Sequence, residues 1–111
     1  MGYIYHIIEN KEWQTAKGRG SYSPQSFATE GFIHCSLVDQ VAATASRYYL
    51  GVPDLIVLKI NLQKLKSEIR TEQAPNGSWY PHIYGELNIN AVEAEISLGF
   101  APDGSYQFVT E

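Results

Sequence analysis

Alternating and continuous apolar runs predict strands at both ends of the chain and in its middle. Residues 3–8 alternate, so that Ile4, His6 and Ile8 share one face of a strand. Residues 55–60 are nearly all apolar, which predicts a central strand covered on both faces. Further strands are predicted at residues 31–35, 67–73, 79–84, 91–98 and 106–109.

Helix signals lie between the first strands. Asn10 is a suitable N-cap for a short helix that Gly18 ends. Ser36 is a suitable cap for a second helix over residues 37–49. The order strand, helix, strand, helix and then mostly strands predicts one α+β domain over residues 1–111.

One predicted strand contains a proline. Pro75-Asn76-Gly77 predicts a turn, and the aromatic segment 79–84 follows it. Pro81 has no N–H to donate to a neighbouring strand. We therefore expect this segment to lie at an edge, at a bulge or in a loop.

Composition and charge narrow the function classes. The 111 residues are 44% hydrophobic and 18% charged, which is typical of a compact folded protein. The net charge is −4, and residues 71–111 contain six acids and no Lys or Arg. This balance argues against a long nucleic acid as a partner, because phosphate binding needs a sustained basic surface. A small anionic ligand at Arg19, Arg47 or Arg70 stays open.

Three features predict a cytoplasmic protein without a membrane segment. Apolar runs fall well short of the roughly 20 residues that a bilayer crossing needs. The chain begins Met-Gly-Tyr-Ile-Tyr-His, which has no basic segment followed by an apolar signal core. The single Cys35 excludes an internal disulfide framework and suits a reducing compartment.

All three histidines lie inside short apolar runs, namely Tyr5-His6-Ile7, Ile33-His34-Cys35 and Pro81-His82-Ile83. Flanking residues of this kind favour burial, so each ring is expected to have its tautomer fixed by a specific partner. Strands far apart in sequence that each contribute a histidine predict a shared pocket. Three separately hydrogen-bonded core histidines are the alternative.

The segment from Glu30 to Ser36 leads from a strand directly into a helix. Phe32, His34 and Ser36 share one side by alternation, and Gly31 lets a ligand or another backbone approach closely. The helix N-terminus at Ser36 offers amide donors to an anion. The alternative is that His34 is a satisfied core residue and Ser36 only a cap.

A second cluster surrounds His82, in the segment Trp79-Tyr80-Pro81-His82-Ile83-Tyr84-Gly85. Its aromatic rings form a platform for a planar ligand, or they close the core. On the preceding strand, Arg70 and Glu72 share a face. If that face lines a cleft, Arg70 would hold a phosphate or carboxylate and Glu72 would stabilise developing positive charge. Otherwise both side chains pair with neighbouring charges.

Several chemistries lack their sequence signals. There is no phosphate loop of the Gly-x-x-x-x-Gly-Lys type, and Gly18-Arg19-Gly20 is too sparse for a dinucleotide fingerprint. His34 and Cys35 are strand neighbours that point to opposite faces, which excludes a catalytic dyad. Three neutral imidazoles can bind zinc, but their spacing does not favour it, and no metal ligand is assigned.

The motifs together resemble the domain of unknown function 952 family, a small group of mostly bacterial proteins. The resemblance covers nearly the whole chain. The matching pieces are Tyr5-His6-Ile7 with Trp13, Gly20-Ser21-Tyr22, Glu30 to Ser36, Gln40 with Arg47 and Tyr48, Arg70 with Glu72, and Pro81 to Leu87. The family is in turn similar to the ADP-ribosyltransferase fold, which includes the RNA 2′-phosphotransferases. This likeness implies a bent or split mixed β-sheet with two or three short helices.

The likeness also implies how a ligand would bind. NAD would lie bent across the cleft between the sheet halves, with His6 bonded to the ribose or phosphate near the nicotinamide. His82 takes the place of the late glutamate of many transferases, with Glu72 and Glu86 as possible substitutes. The nicotinamide ring would stack on one of three aromatic side chains, Tyr22, Tyr48 or Tyr84.

We therefore predict a pocket for NAD or a similar nucleotide, with NAD as the substrate of ADP-ribosyl transfer or glycohydrolysis. The predicted catalytic residues are His6, His34, His82 and Glu72, and the predicted ligand-binding residues are Tyr22, Ser36, Arg47, Arg70 and Tyr84. A non-catalytic nucleotide- or phosphate-binding module is the first alternative. A three-histidine zinc hydrolase is the second.

Overall fold

Two three-stranded sheets contain the long strands of the computed structural model, which describes residues 2–23 and 30–108. The first sheet has the strand order β1 (Tyr3–Glu9), β4 (Leu55–Asn61), β8 (Val92–Ser97). The second has the order β3 (Ile33–His34), β6 (Trp79–Tyr84), β5 (Glu68–Gln73). We call them the β1–β4–β8 half and the β3–β6–β5 half.

Shorter elements connect and cover these sheets. β2 (Ser21–Tyr22) pairs with β7 (Leu87–Asn88), and β9 (Gly99–Phe100) pairs with β10 (Tyr106–Gln107) as a hairpin. The helices are α1 (Asn10–Arg19) and α2 (Val41–Tyr48), with 3₁₀ turns at Val38–Gln40 and Ile89–Ala91. The predicted α+β class is confirmed. Val109, the predicted end of the last strand, lies outside the described residues.

The two halves meet at a single backbone bridge in the described part of the chain. The Tyr5 N–H donates to the Ser36 carbonyl at 2.9 Å, and the Ser36 N–H donates to the Tyr5 carbonyl at 2.7 Å. The sheet is therefore split into two halves. Ser36 follows β3 by two residues and is the point at which the chain pairs with β1.

Every strand pairing between described residues is antiparallel, which corrects the expected mixed sheet. The path of the chain explains why β4 runs antiparallel to β1. The Asn10 N–H, at the start of α1, donates to the Asp54 carbonyl just before β4 at 2.9 Å. The chain thus returns to the end of β1 that it left, and β4 runs back along it.

The core lies on both faces of β4, as its continuous apolar run predicted. On one face, Ile56 and Leu58 pack with Trp13 of α1. On the other face, Val57 packs with Val41 of α2. The alternation predicted for β1 is also confirmed, with Ile4 and Ile8 in the first cluster and Tyr5 and Ile7 in the second.

Helix α1 is longer than predicted. It continues through Gly18 and ends at Arg19, with Gly20 in the left-handed region at φ 89°. The Gly20 N–H donates to the Ala16 carbonyl at 3.1 Å, which closes the last turn. No helix in the described part of the chain has the length and apolar character that a membrane crossing requires.

Helix α2 is shorter than predicted, because Ser36 does not cap it. The backbone of Ser36 is engaged by β1. The Gln40 side chain accepts from the Leu37 N–H at 2.9 Å instead, within the 3₁₀ turn that precedes Val41. The Ser36 and Leu37 amides, the first two of this segment, are therefore already bonded within the protein and are not free to bind an anion.

Pro81 lies in a central strand, which corrects the prediction of an edge, bulge or loop. β6 is bonded to β5 on one side and to β3 on the other. The Pro81 carbonyl accepts from the Cys35 N–H at 3.1 Å, in the last pair before the chain turns towards Tyr5. The proline is tolerated because its missing N–H falls at the end of the short β3, where only one ladder bond is lost.

Candidate functional site

The β3–β6–β5 half has one apolar face and one face of aromatic and polar side chains. Ile33 and Ile83 are buried in the core, and Ile69 packs against them. The opposite face, which we call the imidazole face, comprises Phe32, His34, Arg70, Glu72, His82 and Tyr84. In the strand register, His34, His82 and Arg70 form one row across the three strands.

His82 and Tyr84 both bind one oxygen of Glu72. His82 Nδ1 lies 2.7 Å and the Tyr84 hydroxyl 2.6 Å from Glu72 Oε1. Since a carboxylate accepts, His82 Nδ1 carries the hydrogen and donates, and the Tyr84 hydroxyl donates as well. The bonds from Tyr84 and His82 lower the pKa of Glu72, which is ionised at neutral pH. In the neutral His82 ring, Nε2 then presents a lone pair.

Aromatic stacking surrounds His82. The Phe32 ring lies flat against the His82 ring, with centroids 4.2 Å apart and planes at 14°. The His34 ring meets His82 edge-on at 5.2 Å. His34 and His82 form a pair without mutual backbone hydrogen bonds, and in such pairs the two side chains lie closest. The strand register therefore explains why the two imidazoles are neighbours.

The second imidazole has its own carboxylate. His34 Nε2 lies 2.6 Å from Glu30 Oε1, four residues earlier in the chain. The His34 side chain is 54% exposed, whereas that of His82 is 13% exposed. The two rings thus differ in solvent access, although each is paired with a glutamate.

Arg70 is held within the sheet. Its Nε and one terminal nitrogen donate to Glu68, at 3.1 and 3.3 Å. Its guanidinium also lies over the Tyr84 ring, 4.2 Å from the centroid. Arg70 and Glu72 share a face, as predicted, and the pairing of Arg70 with a neighbouring charge was the stated alternative for this residue.

His6 is separated from the other two histidines. It is 6% exposed, and its Nδ1 lies 2.6 Å from the His34 backbone carbonyl. Burial lowers the pKa of His6 to about 4, so the ring is neutral at pH 7. His34 and His82 therefore lie together on the imidazole face, whereas the His6 ring faces the interior behind β3.

Tyr22 is the second partner of His6. Its hydroxyl lies 3.3 Å from His6 Nε2 and 3.4 Å from Glu12 Oε2. Burial raises the pKa of this phenol. A cleft of about 310 Å³ lies beside Tyr22, between α1 and β2, and Arg19 lines it. Tyr22 thus contacts His6, as part of the interior, and not the imidazole face.

The last two predicted ligand-binding residues lie away from the imidazole face. Ser36 is buried, and its hydroxyl lies 3.5 Å from the Thr44 hydroxyl. Arg47 is exposed on α2, with its guanidinium 5.6 Å from the centroid of the Tyr48 ring. The structure does not bring either side chain to the histidines.

Three site residues were missed as candidates in the sequence. Phe32 was placed on the side of His34 by alternation, but it was treated as a neighbour and not as the ring that stacks on His82. Glu30 had no readable signal, because the chain between it and His34 is not helical and the left-handed turn at Gly31 brings the two side chains together. Glu12 had no readable signal either, because its contact with Tyr22 depends on how α1 packs against β2.

The geometry does not support a three-histidine metal centre. The described residues contain no group of three or more His, Cys, Asp or Glu side chains placed to hold a metal ion. His34 and His82 are adjacent, but both nitrogens of His6 already face other partners. The three rings therefore do not converge on one point.

The chain is thus a small α+β protein with a split antiparallel sheet and two neighbouring histidines on one open face. The family described as "Protein of unknown function (DUF952)" matches residues 7–95. The chain belongs to this family, as its motifs suggested.

Solved structures of one relative show the same fold. The crystal structure of protein CC0527 from Caulobacter crescentus, a Northeast Structural Genomics Consortium target, is 30% identical and has a TM-score of 0.84, with 96% of this chain and 94% of that chain covered. Its solution NMR structure is also 30% identical and has a TM-score of 0.79, over 95% and 91% of the two chains. A comparison with curated proteins found no match.

Proposed function

We propose that the imidazole face binds a nucleotide such as NAD, and that Glu72 and His82 act on its N-glycosidic bond in ADP-ribosyl transfer or hydrolysis. The observation that carries this proposal is the Glu72 carboxylate, bonded by His82 at 2.7 Å and by Tyr84 at 2.6 Å. A carboxylate that orients an imidazole leaves the far ring nitrogen as a proton acceptor, an arrangement typical of acid–base centres.

Each group has a definite part in the chemistry. The bond between the ribose C1′ atom and the nicotinamide nitrogen breaks, and nicotinamide leaves with the electron pair. Glu72 stabilises the positive charge that develops on the ribosyl group, as a carboxylate does in glycoside cleavage. Water or an acceptor hydroxyl attacks C1′ and transfers its proton to His82 Nε2. One face of the Phe32 ring is taken by His82 and one face of the Tyr84 ring by Arg70, so a planar base would stack on the remaining face of either ring.

The likeness of the family to the ADP-ribosyltransferase fold supports NAD among the nucleotides. In that fold NAD crosses the split between the sheet halves. Here β3 borders the split and also carries His34 on the imidazole face. A ligand bound at His34 would therefore extend from the imidazole face directly to the split between the two halves.

A non-catalytic nucleotide-binding module is a second candidate, and one observation favours it. Glu72 Oε1 already accepts two hydrogen bonds, so only Oε2 is left to face a ribosyl cation. Under this alternative, ADP-ribose binds as well as NAD does, and no nicotinamide is released.

Calorimetric titration with NAD, ADP-ribose and nicotinamide tests binding, and NMR detection of free nicotinamide tests turnover. We expect NAD to bind, and His82→Ala to lower turnover by about 100-fold or more. Glu72→Gln keeps the shape of the side chain and removes its charge, so turnover should fall similarly.

Glu93→Gln is the matched control, because Glu93 accepts from the Tyr3 hydroxyl at 3.0 Å on the other half of the sheet. This variant should behave as wild type. The absence of heat with all three compounds at millimolar concentration would overturn the proposal. An equal effect of Glu72→Gln and Glu93→Gln would overturn the assigned role of Glu72.

A further inference from the structure

The backbone carbonyl of His34 points away from β6. The Cys35 N–H donates to the Pro81 carbonyl at 3.1 Å, so the Cys35 and Pro81 pair is hydrogen-bonded. The adjacent pair, His34 and His82, is then of the type without mutual backbone bonds. The N–H and carbonyl of His34 consequently face the split between the two halves, where the only described bridge is at Ser36.

The His6 side chain supplies the partner that a strand would otherwise provide. Its Nδ1 lies 2.6 Å from the His34 carbonyl oxygen. A carbonyl only accepts, so the hydrogen of the neutral ring sits on Nδ1. This bond crosses the split and holds the backbone of His34, whose own side chain lies on the imidazole face.

Tyr22 and Glu12 complete the surroundings of the His6 ring. With its hydrogen on Nδ1, the ring presents only a lone pair at Nε2, and the Tyr22 hydroxyl is the donor at 3.3 Å. The same hydroxyl lies 3.4 Å from Glu12 Oε2, so one hydrogen is shared between two acceptors. Both ring nitrogens of His6 are therefore occupied within the protein.

We infer that His6 is a positioning residue, which holds the β3 backbone beneath His34 and so sets where the His34 ring stands against His82; Tyr22 and Glu12 orient His6 in turn. This role differs from the one that the resemblance implied for His6, which was direct contact with the ribose or phosphate of NAD. Its consequence for turnover rests on the proposed function of the imidazole face, whereas its consequence for the geometry of β3 does not.

Two substitutions of His6 distinguish its hydrogen bond to the His34 carbonyl from the mere volume of its side chain. In His6→Asn the side-chain amide donor takes the place of Nδ1, whereas in His6→Gln it takes the place of Nε2. We expect the NMR ring signals of His34 and His82 to stay at wild-type positions in the Asn variant and to move in the Gln variant. Ring signals that agree in the two variants would overturn the inference.

Removal of a hydroxyl gives a second test that does not depend on the folding of either His6 variant. Tyr22→Phe should shift the His34 ring signals. Tyr106→Phe is the matched control, because this buried hydroxyl also bonds inside the protein, to the carbonyls of Tyr49 and Val52 at 3.1 Å, away from β3. The control should leave the His34 signals unchanged, and equal shifts in both variants would overturn the inference.

Enzyme kinetics distinguish this inference from the proposed function. If NAD is turned over, Tyr22→Phe should lower kcat/KM about tenfold or more through misplacement of His34, and Tyr106→Phe should not. If NAD is neither bound nor turned over, the proposed function fails, while the NMR comparison still decides whether His6 positions β3.

Discussion

The two halves of the split sheet use histidine in opposite ways. In the β1–β4–β8 half, His6 is neutral and buried, and both of its nitrogens are engaged by the protein. In the β3–β6–β5 half, His34 and His82 stand on an open face, each beside a glutamate. The number of covered faces makes the difference, because β1 is packed on both sides and β6 on only one. A histidine in an apolar run thus indicates a strand, and the layers around that strand decide the role of the ring.

The largest expected effect tests whether the two faces of β6 contribute differently to stability. Ile83 is 0% exposed and lies in the core directly behind the imidazole face. Ile83→Ala should lower the free energy of unfolding by about 2 to 5 kcal/mol, through lost burial and a cavity. His82→Ala, one residue earlier on the open face, should cost clearly less. Urea unfolding of both variants measures the contrast, and equal losses would contradict it.

The pH dependence of stability tests whether His6, unlike His34 and His82, is a buried neutral group. Burial lowers the pKa of this histidine from 6.5 to about 4 in the folded protein. Between these values the unfolded chain binds a proton that the folded protein does not, so the stability falls as the pH drops from about 6.5 towards 4. The loss should approach about 3 kcal/mol, at about 1.36 kcal/mol for each pH unit.

Urea unfolding at several pH values measures this loss in wild type and in His6→Asn. The variant keeps every carboxylate but has no group that titrates at this position. It should therefore show a shallower decline of stability across the same pH range. Parallel declines would mean that His6 does not contribute to the acid sensitivity.

A glycine at the end of β6 tests how rigidly the imidazole face is built. Gly85 has φ 151°, and an added Cβ would collide with the Ser67 side chain. Gly85→Ala should destabilise the protein by about 1 to 3 kcal/mol, from backbone strain together with the clash. Gly31→Ala is the control, because Gly31 also has a positive φ, 84°, but nothing lies within 4 Å of an added Cβ. Unfolding midpoints should rank Gly85→Ala below Gly31→Ala, and the reverse order would show that the β5–β6 contact yields easily.

The smallest expected effect concerns the charge pair at the rim of the imidazole face. Arg70 and Glu68 are both more than half exposed, and such pairs contribute little to stability. Arg70→Gln should leave the unfolding midpoint within experimental error. A clear loss of stability would show that the contact of Arg70 with the Tyr84 ring supports the sheet.

Local patterns foresaw most of the strands and the pairing of faces. The alternation of residues 3–8 separated Ile4 from Tyr5 correctly, and the apolar run at 55–60 identified the strand with core on both sides. Glycine and proline signals identified the turns correctly, as at Pro75-Asn76-Gly77, but were wrong inside two regular elements. Gly18 lies within α1, and Pro81 lies in a central strand, because the partners available at each position outweighed the local preference.

The candidate site was predicted in part, and the missing part has a physical cause. Arg70 and Glu72 could be placed together because strand alternation is strictly local. The meeting of His34 with His82 depends on the register between β3 and β6, and the isolation of His6 depends on which strand borders the split. Neither relation can be predicted from a single segment of the chain, because each depends on pairing between distant strands.

The sequence by itself determined which residues face which side of each strand, since side-chain direction along a strand follows from backbone geometry alone. The tertiary structure decided which of these faces stayed open. Desolvation and hydrogen bonding depend on neighbours brought in from distant segments, so burial made His6 a neutral interior group and left His34 and His82 beside their carboxylates.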